Sequence, residues 1–342
     1  MLKSLRRIAI GEPCEVKLHA RFDEGAVETR GNKSRSAPRP YSARILLAAV
    51  LLGLPVAGFA AETAAFLDIG VGARGIGMGG AFTALADDSS AVYWNPAGLA
   101  RLEKREVSVS HAELGLGTRE DFLAYAHPTS RGTIAAAMTY LSQGAIGGRD
   151  VNGRPTGDYQ ASDAAFAGAY GMKTDFVDLG ASVKYLRSHI ASAEAQGVAA
   201  DLGARRAFDG VGPGKLVLGA ALRNMGPGLK YDTQRNDLPL RLAGGAAYSF
   251  SSGRTLAVEV QSAPRGGGAD AGFGGEMKVM EGALLRLGWS TKSAAPDGSG
   301  FDAARGLTVG LGLERAGFRF DYAAQAAGEL GAAHRFTLAK RF

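Results

Sequence analysis

From about residue 105 onward, apolar and polar positions alternate in short runs. The last run shows the rule. Phe336, Leu338 and Phe342 fall on one face, and Arg335, Thr337, Ala339 and Arg341 on the other. Successive side chains leave a strand on opposite sides, so this alternation predicts a strand with one apolar and one polar face. The pattern recurs upstream. Leu179, Ala181, Val183 and Tyr185 oppose Ser182, Lys184 and Ser188, and Leu216, Leu218, Ala220 and Leu222 oppose Arg223. Leu240, Leu242, Gly244, Ala246, Tyr248 and Phe250 alternate with Arg241, Ala243, Gly245, Ala247 and Ser249. Leu256, Val258 and Val260 oppose Glu259 and Gln261, Leu285, Leu287 and Trp289 oppose Arg286, and Phe318, Phe320 and Tyr322 oppose Arg319 and Asp321. Such runs, roughly 8–12 residues apart and bounded by Gly, Asp, Asn, Ser and Pro, read as strands joined by turns. They number about 14, and an even number suits a barrel whose two ends share one side of a membrane.

Alternation fits a soluble sandwich as well as a membrane barrel, because only the side that meets water is exchanged. Charged residues of both signs occupy the polar face: Lys184, Arg223, Arg241, Glu259, Glu276, Lys278, Arg286, Glu314, Arg319 and Asp321. Three features favour the barrel. Runs near 10 residues suit a tilted crossing. Tyr140, Tyr248, Phe250, Trp289 and Tyr322 fall near run ends, like interface girdles. The chain ends on Phe342, on a strand that must close against the first one. Lys340 falls on the apolar face, where a long side chain can snorkel to the interface. The fold expected is all-β: a transmembrane, antiparallel, up-and-down β-barrel of about 14 strands with a short N-terminal plug.

One apolar run, 45–56, changes the picture of the chain's start. About 12 residues are too few to span a bilayer. Arg39 and Arg44 precede the run and Ala57-Gly-Phe-Ala-Ala61 follows it, which reads as a secretory signal peptide cleaved after Ala60 or Ala61. An N-terminal membrane anchor is the other reading. Residues 1–40 lack periodicity and read as an over-extended start or a disordered leader. The division expected is a removed leader and signal peptide at 1–61, a plug segment at 62–102 and a barrel at 103–342. The formal charge of +6 belongs mostly to the leader. Beyond residue 60 the chain holds 29 basic and 28 acidic residues, so a nucleic-acid partner loses its support. The single cysteine, Cys14, lies in the leader too. The exported chain then has no disulfide, no Cys metal site and no lipidation cysteine.

The segment 62–102 breaks the strand rhythm. Gly70-x-Gly72-x-x-Gly75, with Asp87 and Asp88 downstream, matches a dinucleotide fingerprint in letters only. That site needs a preceding strand and a helix opening on the glycines, and the further glycines here break any helix. Close packing of backbone under side chains explains them better. Asp88-Ser-Ser90 suits the start of a short helix through Ala91–Trp94. Asn95-Pro96 stops it, because a residue before proline leaves the helical region. The result is a small-residue element suited to tuck inside a barrel mouth.

In order and spacing, Gly75-Ile-Gly-Met-Gly-Gly80, Ala84-Leu-Ala-Asp-Asp88 and Asn95-Pro-Ala-Gly-Leu99 resemble the start of the PorV/PorQ family of outer-membrane proteins, which is related to the FadL-like long-chain fatty-acid transporter barrels. The resemblance covers about 30 residues. It implies a 14-stranded barrel with an N-terminal plug to which Asn95, Pro96 and Ala97 belong. It also implies either uptake of hydrophobic molecules or, in PorV-like members, help to type IX protein secretion.

No enzyme is expected. Ser188 or Ser192 beside His189 could form a rim hydrolase, but a histidine at a strand end is the plainer reading. Asp68, Asp87 and Asp88 could hold Ca²⁺, but turn-making by aspartate is the plainer reading. The stretch 150–158 reads as an external loop. No cofactor and no metal is expected. The function expected is a channel in the outer membrane of a Gram-negative-type bacterium, passing or binding hydrophobic small molecules through a plugged lumen. Gly75, Gly77, Gly79, Gly80, Asp87, Asp88, Asn95 and Pro96 are the plug and gating residues. Phe336, Leu338 and Phe342 serve barrel closure and assembly. The partners expected are outer-membrane lipid, the barrel assembly machinery and a hydrophobic small molecule. The alternative is a non-enzymatic secretion component that shuttles cargo proteins or assists assembly.

Overall fold

A computed structural model of the chain describes residues 63–231, 234–265, 268–294, 302–328 and 331–342. The expected leader and signal peptide, 1–61, lies outside the described residues. The described residues form sixteen strands: β1 (Glu106–Gly115), β2 (Thr118–Thr129), β3 (Gly132–Arg149), β4 (Pro155–Met172), β5 (Asp178–Ile190), β6 (Ala193–Val211), β7 (Gly214–Met225), β8 (Leu229–Tyr231) and β9 (Gln234–Asn236) in the first half. The second half holds β10 (Arg241–Phe250), β11 (Arg254–Ser262), β12 (Ala269–Met280), β13 (Ala283–Ser290), β14 (Leu307–Arg315), β15 (Phe318–Ala326) and β16 (Ala332–Arg341). Fourteen of them close an antiparallel barrel, and β8 and β9 form a separate hairpin between β7 and β10.

The last strand closes against the first, as expected. Val109 of β1 stands opposite Leu123 of β2 on one side and Leu338 of β16 on the other. β16 stops at Arg341, and the backbone N–H of Phe342 donates to the carbonyl of Arg105 at 3.0 Å. The start of β1 and the end of β16 define a lower rim, and the β1–β2 turn lies at the upper rim. Outward positions are apolar: Val109, Leu287, Leu313 and Leu338 are each more than half exposed. Inward positions are polar yet buried, as at Lys184, Arg223, Glu259, Arg286, Arg319 and Asp321. Lys278 and Glu314 are exposed, near the lower rim. The odd residue on the apolar face, Lys340, places its Nζ 3.8 Å from the centre of the Phe318 ring and donates to the Ala316 carbonyl. At the upper rim the outward face turns polar, with a His111 ring nitrogen 2.7 Å from Asp121.

Three expectations need correcting. The strands are not uniformly near 10 residues: β3 and β4 have 18 each and β6 has 19. β3 pairs with β2 only as far as Ser142, and β4 pairs with β5 only from Ala161. Residues beyond these points form a two-stranded ribbon above the rim. The loop expected at 150–158 is therefore shorter. The Asp150 carboxylate accepts the N–H groups of Asn152 and Arg154, and β4 begins at Pro155. Tyr322 lies in the middle of β15 rather than near its end. The hairpin β8–β9 and the helical turn Thr291–Ala294 were not expected, since neither is long enough to show a period.

The inward wall is rich in alanine and glycine, as at Ala124, Ala126, Ala243, Ala247 and Ala323. This leaves room inside for an inserted segment. Val71, Met78, Phe82 and Leu99 are fully buried there. Each such side chain contributes roughly 1.5–3 kcal/mol when taken from water. The core of the molecule is thus the barrel interior.

Candidate transport lumen and its plug

Residues 63–102 run through the lumen as four short turns: Ala65–Asp68, Ala73–Gly77, Ala91–Trp94 and Pro96–Arg101. Among the described residues no strand precedes Gly70, so the dinucleotide pattern has no structural counterpart there. One helical turn does survive the glycines, contrary to expectation. Its first free donor, the N–H of Ala73, is taken by Thr337 Oγ1 of β16 at 2.9 Å. Asp88 Oδ1 accepts the N–H and hydroxyl of Ser90, a turn that sets up Ala91–Trp94. Asn95 is extended at φ −163°, and Pro96 opens the next turn.

A closed circuit of ion pairs ties this segment to the wall. Arg74 reaches Asp87 at 2.5 Å, Glu276 of β12 at 3.3 Å and Asp88 at 3.6 Å. Arg286 of β13 bridges Glu276 and Asp321, both at 2.7 Å. Arg319 of β15 returns from Asp321 at 2.9 Å to Asp88 at 2.8 Å. Other wall groups satisfy the plug backbone. Glu259 Oε2 accepts the N–H groups of Phe82 and Thr83. Glu106 accepts the N–H and hydroxyl of Ser89, and Arg205 donates to the Ala84 carbonyl. Asn95 Nδ2 donates to the carbonyls of Thr83 and Ala204, and its Oδ1 accepts the Ala97 N–H. Backbone donors buried without such partners would each cost free energy comparable to a lost hydrogen bond.

Glycine sets the distances between plug and wall. A Cβ on Gly75 would meet the Trp94 ring at 2.8 Å, and one on Gly77 would touch Gly310 at 3.4 Å. Gly79, at φ +65°, lies against the backbone of Phe273 and Trp289. On the wall side, Gly180 and Gly203 accept the Asn95–Pro96 bend, and Gly288 accepts Gly79. Gly80 differs, with no atom within 4 Å of where its Cβ would be.

Two chambers open above the plug. The outer one, about 830 Å³, is lined by Ala65, Phe66, Leu141, Ile190, Asp163 and Tyr231. The inner one, about 380 Å³, has Gly70, Gly79, Gly80, Tyr93 and Trp94 among its lining, with Asp68, Arg241 and Lys292. Ala65 and Ile69 border both. Asp68 binds Arg241 at 2.8 Å and Lys292 at 2.5 Å.

Cations occupy the carboxylates read as possible calcium ligands: Asp87 and Asp88 share Arg74, and Asp68 is held apart from them by Arg241 and Lys292. The Ser188–His189 pair of the hydrolase alternative is not brought together. Ser188 faces inward and donates to Asp163 while accepting from Tyr231, whereas His189 stands on the opposite face of β5.

The two plug carboxylates give one pH prediction. Burial alone would raise Asp88, but Arg319 and Arg74 overcome it and hold the group well below the usual carboxylate range. Burial likewise opposes, and Lys292 and Arg241 outweigh it, at Asp68, which is also lowered. A lowered folded-state value stabilises above the unfolded value of about 4 and is lost as pH falls through the folded one. Plug docking should therefore be flat from about pH 5 to 8 and weaken only below about pH 4. Thermal unfolding followed across that range checks this; a loss between pH 5 and 7 contradicts it.

The closed fourteen-strand barrel, its lumen filled by an N-terminal segment and chambered above it, defines the fold of plugged outer-membrane channels. Residues 58–239 match the uncharacterised protein family UPF0164, and the chain belongs to that family. In fold it is similar to the crystal structure of the toluene transporter TodX of P. putida, with TM-score 0.57 and 13% identity, covering 80% of this chain and 99% of that one. It is also similar to a Pseudomonas aeruginosa FadL homologue, with TM-score 0.50 and 14% identity, covering 84% of this chain and 99% of that one. No curated protein matches the sequence.

Proposed function

We propose that the chain is an outer-membrane channel that admits small hydrophobic or amphipathic molecules, with residues 62–102 as an internal gate and 103–342 as the barrel. Its place is the outer membrane of a Gram-negative-type bacterium, with the lower rim toward the periplasm. The observation that carries this reading is the pair of chambers ending on the plug. Gly79 and Gly80 border the inner chamber, and Gly80 has open space beside it. That stretch is the part of the plug free to shift and let a solute by. Asp87, Asp88, Asn95 and Pro96 are the anchors about which it moves, with Gly75 and Gly77 packed between. Phe336, Leu338 and Phe342 present the final strand to lipid and to the barrel assembly machinery. Fold similarity to a toluene transporter and a FadL homologue supports the small-molecule reading over a PorV-like role with secreted cargo.

The test is uptake into proteoliposomes by the intact barrel and by a variant lacking residues 70–98, each checked for a boiling-dependent gel shift. The intact protein should pass a small apolar solute and exclude a large hydrophilic one. The deletion should lose that discrimination. Retained selectivity without the segment would remove it from the gate.

A further inference from the structure

On β13–β16 the outward face of the barrel is hollowed. A groove of about 360 Å³ there is lined by Leu285, Leu311, Leu313, Phe320, Tyr322 and Phe336. The register arranges it in rows. Leu313 and Phe320 stand side by side on β14 and β15, and Leu311, Tyr322 and Phe336 form the next row up across β14–β16. Ala283 stands opposite Leu313 and also lines the groove, where its short side chain leaves the surface low.

The row below carries charge. Arg315, Phe318 and Lys340 stand side by side on β14, β15 and β16, on the same outward face and nearest the lower rim. Lys340 Nζ lies 3.8 Å from the centre of the Phe318 ring and gives one proton to the Ala316 carbonyl. An ammonium has three donors, so two remain. The Arg315 side chain is exposed, and no hydrogen bond or ion pair engages it among the described residues. The neighbouring carboxylates are turned away. Glu314 leaves β14 on the opposite face, and Glu106 is bound to Arg341 at 2.6 Å. Two uncommitted cations thus flank one aromatic ring at the foot of an apolar groove. Strands two places apart are separated by about 10 Å, a gap that one phosphate between two long side chains can fill.

We propose that this face holds one phospholipid with an anionic head group, its phosphate between Arg315 and Lys340 and an acyl chain along the groove. This rests on the channel reading, which places the face in lipid and the lower rim toward the periplasm. The charged row stands about 13 Å below Leu311, so head group and chain fall in the order in which a lipid of that leaflet presents them. Arg315 offers a planar fork of donors that suits phosphate oxygens. A zwitterionic head group would bring its own cation against Arg315 and Lys340.

The test is native mass spectrometry of the purified full barrel, titrated in detergent with dioleoyl phosphatidylglycerol, with dioleoyl phosphatidylcholine or with glycerol phosphate. Phosphatidylglycerol should be retained as a single copy, at least about fivefold more tightly than phosphatidylcholine, which is the worth of one interfacial cation against an anionic lipid. Glycerol phosphate, which has no chain, should not be retained. Arg315→Gln combined with Lys340→Gln should bring phosphatidylglycerol down to the level of phosphatidylcholine. Arg315→Gln alone changes an exposed side chain, should lose part of the preference and covers the case of a double variant that does not fold. Ala283→Trp fills the groove and should weaken both lipids. Arg131→Gln, at an exposed arginine of the β2–β3 turn on the same rim, should change neither. Equal retention of the two lipids, an unaltered preference in the Arg315 and Lys340 variants, or retention of glycerol phosphate as tightly as the lipid overturns the proposal and leaves the channel reading standing. A barrel that enters vesicles of neither lipid sinks both.

Discussion

Arg319→Met should loosen the plug and lower the temperature at which the folded barrel converts to its heat-denatured form. Arg319 is buried, and it joins Asp88 of the plug to Asp321 of β15. Methionine keeps the bulk of the stem and removes the charge. Asp321 would still have Arg286, and Asp88 would keep the Ser90 donors but, of its cations, only Arg74 at 3.6 Å. Removing one partner of a buried pair costs about 3–5 kcal/mol, because the charge left behind has lost its water as well as its partner. The remaining contacts place this case near the lower end of that range. Asp88→Asn in the same background should recover part of the loss, since it removes the stranded charge. The check is the temperature of the gel-mobility transition for wild type, both single variants and the double variant. Additive losses would mean that the two residues do not act as a pair, and an unchanged transition in Arg319→Met would mean that the circuit does not hold the plug.

That circuit also shows where sequence reading stops. Alternation placed Glu276, Arg286, Arg319 and Asp321 on one face of their strands, because a period of two is local. It could not say which of them meets Arg74 or Asp88, since those partners lie 202 and 231 positions apart in the chain. Arg74 carried no signal of its own inside a glycine-rich stretch. Asn95-Pro96 was legible as a stop, for steric reasons confined to neighbouring residues. The anchoring of Asn95 to Thr83 and Ala204 depends on the barrel closing around it. The chambers were beyond reach for the same reason: the inner one is walled by the plug and β10–β12, and the outer one by the plug, β3–β5 and the β8–β9 hairpin, which is too short for any periodic signal. Polar residues on an inward face can be read from a strand. Which of them keep a free valence cannot, because that depends on every pairing around them.

Gly288→Leu should open the channel while leaving the barrel folded. Gly288 faces inward on β13, where a Cβ would overlap the N–H of Gly79 and come within 2.6 Å of the Met78 carbonyl carbon. These are backbone atoms, so no side chain can swing aside. Overpacking a tight contact costs about 1–3 kcal/mol even where neighbours can yield. The wall has the firmer hold, since β13 is paired along its length with β12 and β14. Strain should therefore be relieved by the plug, through the 77–80 stretch that already borders open space at Gly80. Gly168→Leu is the control: it changes a strand glycine on the outward face with nothing within 4 Å. In planar bilayers Gly288→Leu should conduct ions steadily, while wild type and Gly168→Leu stay closed, and all three should keep their gel shift. A folded Gly288→Leu barrel that remains closed would show that the 77–80 stretch can retreat without clearing a path. The gate would then have to lie nearer the Asn95–Pro96 bend, where Gly180 and Gly203 offer the same test on the opposite wall.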